Sequence, residues 1–104
     1  MMRFAVISLC AGLIALVGPA HAQDARQTCA KMQAEDRLGP LTQAQCRCNY
    51  SVAEQVLDPD IRALVFDAWY TGRDNIAKVE QLRPKPRVRR QLRTMAEAVV
   101  KYCS

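Results

Sequence analysis

Residues 42–48 read Thr-Gln-Ala-Gln-Cys-Arg-Cys, and this stretch combines a helix start with a pair of closely spaced cysteines. Thr42 and Gln45 have the spacing of a capping box, which predicts a helix that begins at about Gln43. Two positions apart on a helix, Cys46 and Cys48 point about 200° away from each other. They are therefore badly placed to bond to one another and well placed to reach different partners.

The outer cysteines, Cys29 and Cys103, complete a set of four once a leader over residues 1–22 is set aside. An even number in a short exported chain predicts a disulfide framework. Cys46 and Cys103 both lie on apolar stripes, so we expect the pairs 46–103 and 29–48. The alternative pairs are 29–46 and 48–103. This alternative stays open, because positions 46 and 48 are only about 3 Å apart along the helix axis.

Residues 1–22 have the three parts of a secretory signal peptide. Arg3 is followed by an apolar run over 4–17 and by the small-x-small site Ala20-His21-Ala22. The run is shorter than the roughly 20 residues of a transmembrane helix, so we expect no transmembrane segment and a periplasmic or secreted protein. Lipidation at Cys10 is the alternative, but Leu9 before it is too bulky for the usual processing site.

Residues 23–104 are predicted to form a single small domain. A domain of this size is marginally stable without cross-links, and each disulfide adds roughly 2–4 kcal/mol. The only histidine, His21, lies in the predicted leader. The domain therefore lacks the commonest general base and metal ligand.

Helical periodicity and capping signals continue along the whole domain, without strand-like alternation. We expect a first helix over 24–38 closed by Gly39-Pro40. The second should bury a stripe consisting of Cys46, Tyr50, Ala53 and Leu57. The fold class predicted is all-α, a small bundle of four to five helices stapled by two disulfides.

The third predicted helix, Pro59–Thr71, has Asp58 as its N-cap and Gly72 as its stop. It is apolar nearly all round, which is typical of a central helix. Phe66 and Tyr70 project away from its main apolar face. The alternative is that these two aromatic side chains form an exposed contact patch.

Two further helices are predicted before the C-terminus. A short fourth helix should be capped by Asp74 and turn Ile76, Val79 and Leu82 inward. Pro84 and Pro86 end it, because proline lacks a backbone donor. The last helix should run over 86–102 with an apolar stripe. The stripe consists of Val88, Leu92, Met95, Val99 and Cys103.

Positive charge is concentrated near the start of the last helix. Residues 23–80 carry 7 basic and 9 acidic side chains, whereas residues 81–104 carry 7 basic and 1 acidic. The clustered cations are Arg83, Lys85, Arg87, Arg89, Arg90 and Arg93. A helix start disfavours cations, so the cluster is either a solvated surface or an anion-binding site.

The candidate partners of this cluster are an acidic protein surface or an anionic lipid head group. Nucleic acid is not expected, because the chain is exported and aromatic residues do not alternate with the cations. We take Arg87, Arg89, Arg90 and Arg93 as the candidate binding residues. Phe66 and Tyr70 form the second candidate patch.

Other function classes have weaker support from the residues. Cys46 and Cys48 would suit thiol-disulfide exchange or a soft metal ion such as Cu(I). Both cysteines have structural partners to hand, however, and no glycine-rich phosphate loop or metal-spaced cluster is present. We therefore expect no catalytic residue, no metal and no cofactor. A stand-alone structural component of the envelope is a further alternative.

The signal peptide, the Cys…Cys-x-Cys…Cys layout and the final Tyr102-Cys103 resemble small exported, cysteine-rich helical proteins of Gram-negative bacteria that have no established activity. The resemblance implies a periplasmic location and a disulfide-bonded helical fold, and it carries over no functional residues. The function expected from the sequence is therefore that of a non-enzymatic periplasmic binding protein. The alternative is a redox or metal-handling protein that uses Cys46 and Cys48.

Overall fold

The computed structural model describes residues 24–104, and this part of the chain contains helices and no strand. The predictions for residues 1–22, including Cys10, lie outside the described residues. The helices are α1 (Ala25–Ala34), α2 (Gln43–Val56), α3 (Pro59–Thr71), α4 (Ile76–Glu80) and α5 (Lys85–Cys103). The all-α fold and its two disulfides are therefore confirmed.

Helix α1 ends four residues before the predicted Leu38. Asp36 adopts a left-handed backbone with φ 58°, which terminates the helix. The Arg37 amide donates to the Met32 carbonyl and the Asp36 amide to the Gln33 carbonyl. These bonds form a Schellman motif with aspartate in the position that glycine usually takes.

The starts of α2 and α3 agree with the sequence signals. The Gln45 amide donates to the Thr42 hydroxyl at 3.0 Å, and the Thr42 amide donates to the Gln45 side chain at 2.9 Å. The predicted capping box is therefore present. Pro59 opens α3, and Gly72 ends it with φ 82°. Glycine adopts this left-handed conformation without the steric cost that other residues incur.

Helix α4 is shorter and less buried than predicted. Its N-cap is Asn75 and not the predicted Asp74, although the Asp74 carboxylate accepts from the Ile76 amide at 3.0 Å. The prediction that Ile76 faces inward was wrong, since 66% of its surface is exposed. Asn75 is buried instead and donates to the Leu64 carbonyl and the Asp67 carboxylate. These bonds hold the start of α4 against α3.

The buried core is small and is shared by α2, α3 and α5. Its centre is the cluster of Ala53, Leu57, Ile61 and Val88, and half-buried apolar side chains of the neighbouring helices pack against this cluster. Helix α2 packs most extensively against α5 and also contacts α1 and α3. The central helix is therefore α2, whereas the apolar character of α3 predicted that role for α3.

The disulfides join Cys29 to Cys46 and Cys48 to Cys103, so the expected pairing was wrong. The Cα atoms lie 5.9 Å apart in the first pair and 5.6 Å apart in the second. The prediction paired Cys46 with Cys103 because both lie on apolar stripes. Helix α1 covers the Cys46 end of that stripe, which leaves Cys48 facing α5. Within residues 24–104, none of the helices combines the length and the hydropathy that a membrane span requires.

Removal of the Cys48–Cys103 disulfide should destabilise the protein more than removal of the Cys29–Cys46 disulfide. The bonds close loops of 55 and 17 residues, which the chain-entropy relation converts to about 4 and about 3 kcal/mol. Urea unfolding of C48S/C103S and C29S/C46S, followed by circular dichroism, measures the difference. Equal losses, or the reverse order, would contradict this prediction.

Candidate anion-binding surface

Four exposed cations lie on the N-terminal half of α5. Lys85, Arg89 and Arg93 are spaced four residues apart, so they form one row along the helix, and Arg90 lies beside it. None of the four side chains has a hydrogen bond or an ion pair within residues 24–104. We call Lys85, Arg89, Arg90 and Arg93 the basic surface.

Arg87 does not belong to this surface, which corrects its prediction as a binding residue. Its guanidinium donates to Asp58 Oδ2 at 2.9 Å and to both carboxylate oxygens of Asp60, at 3.0 and 2.9 Å. It also donates to the Arg83 carbonyl, and only 20% of its side chain is exposed. Two carboxylates neutralise this cation, so it fastens the start of α5 to the start of α3.

Asp58 occupies the N-cap position of α3 but makes no capping bond with its side chain. Its amide donates to Gln91 Oε1 at 2.7 Å, and its carboxylate accepts from Arg87. The sequence therefore located the start of α3 correctly and assigned Asp58 the wrong contact. The acid neutralises a cation on α5 instead of capping its own helix.

The second candidate patch, Phe66 and Tyr70, is also not an exposed surface. Phe66 is half-buried and stacks on Tyr50 with ring centroids 3.9 Å apart. Tyr70 is half-buried, and the Lys31 ammonium lies 5.0 Å from its ring centroid. Both aromatic side chains therefore pack α3 against neighbouring helices.

Two open cavities lie beside the basic surface. The smaller, of about 360 Å³, lies between α4 and the start of α5, and Lys85 and Arg89 line it. The larger, of about 500 Å³, lies between α3, α4 and the middle of α5 and includes Trp69. Val79, Glu80 and Leu92 line both cavities, so the two adjoin.

The cysteines of the Cys-x-Cys pair are each bonded to a different partner. Cys46 is buried and Cys48 is half-buried. A dithiol at this position would therefore require two separate disulfides to open. Among residues 24–104, no group of three or more histidine, cysteine, aspartate or glutamate side chains is placed to hold a metal ion.

Arg37 is a polar anchor that the sequence did not reveal. Its guanidinium donates to the Trp69 carbonyl at 2.7 Å and to the Tyr70 carbonyl at 3.1 Å. A cation at a helix C-terminus satisfies free carbonyls and the helix dipole. Arg37 thus fixes the end of α3, where Trp69 lines the larger cavity. These contacts span more than 30 residues of sequence, beyond the reach of any local signal.

Comparison of the chain with models of protein families, with curated proteins and with solved structures found no match. The geometry described above is consequently the basis for a functional assignment. It groups Arg89, Arg90 and Arg93 as predicted, adds Lys85 and removes Arg87. Lys85 was visible as one of the clustered cations. Its side chain has no acidic partner within residues 24–104, because Arg87 forms the ion pairs with Asp58 and Asp60.

The Arg87 contacts should make stability depend on pH in the acid range. The pKa of Asp58 is lowered mainly by a side-chain hydrogen bond with Gln91 and, next, by the one from Arg87. The pKa of Asp60 is lowered mainly by its hydrogen bond with Arg87. A carboxyl with a lowered folded-state pKa stabilises the fold above its unfolded value and loses this contribution as pH falls. We expect the free energy of unfolding to decrease as the pH is lowered below about 4.

The matched test compares D58N/D60N with D36N/E97Q, since Asp36 and Glu97 are exposed and make no side-chain hydrogen bond or ion pair within residues 24–104. Both variants lose two acidic charges. Between about pH 5 and pH 2, urea unfolding should give a shallower pH dependence for D58N/D60N than for D36N/E97Q. Identical slopes in the two variants would show that the Arg87 contacts do not govern acid stability.

Proposed function

We propose that this chain is a non-enzymatic periplasmic or secreted protein that binds anionic lipid head groups through the basic surface. The observation that carries the proposal is the set of four exposed cations without an acidic partner in the described chain. Guanidinium and ammonium groups bind phosphate and carboxylate by charge-assisted hydrogen bonds. Arg87 provides the internal contrast, because it lies on the same helix and is fully engaged by acids.

The position of the cations supports a binding role over a purely structural one. Lys85 lies in the first turn of α5, where the helix dipole favours negative charge, and this turn holds no acidic residue. The N-cap, Pro84, makes no side-chain capping bond. An anion bound here would offset the repulsion among the cations and complement the helix dipole.

The surroundings of the basic surface favour a lipid over an acidic protein. Lys85 and Arg89 also line the smaller cavity, which adjoins the mainly apolar larger one. An anionic lipid combines negative charge with apolar surface, and this arrangement matches both. Binding to an acidic protein remains an outcome that the vesicle experiment below distinguishes.

The proposed location rests on two features. The signal-peptide pattern of residues 1–22 predicts export. The two disulfides are of the kind that forms and persists in oxidising compartments such as the periplasm. An exported protein in this compartment meets anionic lipids at membrane surfaces, which is consistent with the proposed ligand.

The test measures co-sedimentation of the oxidised protein with vesicles. We expect binding to equimolar phosphatidylglycerol–phosphatidylcholine vesicles, weakening as salt increases, and little binding to phosphatidylcholine alone. A Lys or Arg near an anionic membrane contributes about 1 kcal/mol. The variant R89Q/R90Q/R93Q should therefore bind about 100-fold more weakly.

The control variant, R26Q/R47Q/K101Q, loses the same charge from exposed positions outside the basic surface. It should retain most of the vesicle affinity. Equal losses in both variants would mean that net charge alone drives binding, and the proposal would fail. The proposal would also fail if the wild-type protein did not bind anionic vesicles and instead bound an acidic protein through these arginines.

A further inference from the structure

The larger cavity leaves apolar side chains of α3, α4 and α5 open to water. Its lining includes Leu64, Ala68, Trp69, Ile76 and Met95. Ile76 is 66% exposed, although its helix is held in place by the buried Asn75. An apolar ligand that covered these side chains would be favoured by the hydrophobic effect. The volume is within the range of small-molecule sites.

The smaller cavity supplies a charged end for the same ligand. Lys85 and Arg89 line it, and Glu80 is the acid beside them. None of these three side chains forms an ion pair within residues 24–104. The charge lining the cavity is therefore +1, which matches a ligand with a single negative charge.

We propose that the two adjoining cavities together bind one fatty-acid anion. Its carboxylate lies between Lys85 and Arg89, and its single chain passes Leu92 towards Trp69. The inference deepens the proposed function and rests on it for the charged end, because Lys85 and Arg89 belong to the basic surface. The apolar end rests on the larger cavity alone.

Trp69 offers a direct measurement, since it is the only tryptophan in the chain. Dodecanoate brominated at the end of its chain should quench Trp69 fluorescence below the concentration at which micelles form. Unbrominated dodecanoate should compete with the quencher. Absence of quenching would show that the acyl chain does not lie near Trp69. This result would overturn the inference regardless of the affinities of the variants below.

Chain length tests whether the apolar end is buried. Each buried methylene contributes a factor of about 4 in affinity. Dodecanoate should therefore bind up to about 200-fold more tightly than octanoate, as measured by isothermal titration calorimetry. Equal affinities for the two acids would show that only the carboxylate is recognised.

Substitutions at the smaller cavity test the charged end. R89Q should weaken dodecanoate binding about 10-fold, and E80Q should strengthen it, because Glu80 repels the carboxylate. Dodecanol, which has no charge, should bind both variants as it binds the wild-type protein. If R89Q and E80Q bound dodecanoate with unchanged affinity, recognition of the carboxylate by this cavity would be refuted.

A matched pair of substitutions on α3 tests the larger cavity. Ala68 lines it, whereas Ala63 is exposed on the same helix and does not. A68L should fill the cavity and weaken dodecanoate binding at least 10-fold, and A63L should not. The control A63L should bind both dodecanoate and anionic vesicles as the wild-type protein does. Loss of dodecanoate binding by A68L, with vesicle binding that still depends on the basic surface, separates this inference from the proposed function.

Two further results would overturn the inference and leave the proposed function intact. Vesicle binding that depends on the basic surface, without any quenching of Trp69, would restrict the site to head groups. Concentration-dependent dimerisation that A68L abolishes, measured by sedimentation equilibrium, would show that a second copy of the chain covers the larger cavity.

Discussion

The divergence of Cys46 and Cys48 around α2 is the constraint on which the rest of this small fold depends. Because their side chains leave the helix in opposite directions, one disulfide fastens α1 and the other fastens the end of α5. Among residues 24–104, eight apolar side chains are buried, and three of these belong to disulfide-bonded cysteines. Covalent links that shrink the unfolded ensemble therefore supply stability that a core of this size cannot.

A second constraint acts at the opposite end of α5. There Arg87 binds Asp58 and Asp60 at the start of α3, while Cys103 is bonded to α2. Helix α5 is thus fixed at both ends, and its remaining cations point to solvent. Between these two attachments α5 borders the two open cavities. The basic surface and the cavities are consequences of the same arrangement.

Local signals predicted the helices well, because capping and termination involve residues a few positions apart. The Thr42–Gln45 capping box, Pro59 and Gly72 all mark helix ends as expected. The end of α1 was missed because aspartate, not glycine, adopts the left-handed conformation at position 36. The prediction that Ile76 is buried was wrong, because helical spacing shows which residues share a face of a helix. It does not show whether another helix covers that face.

The sequence by itself determined an all-α domain, the helix starts, the presence of two disulfides and the concentration of cations on α5. Only the tertiary structure decided the partner of each cysteine and the identity of the free cations. Both depend on how helices lie relative to one another. A shift of about 3 Å changes which cysteines meet. Arg87 is removed from the basic surface by acids 27 and 29 positions earlier in the chain, and no local pattern encodes that contact.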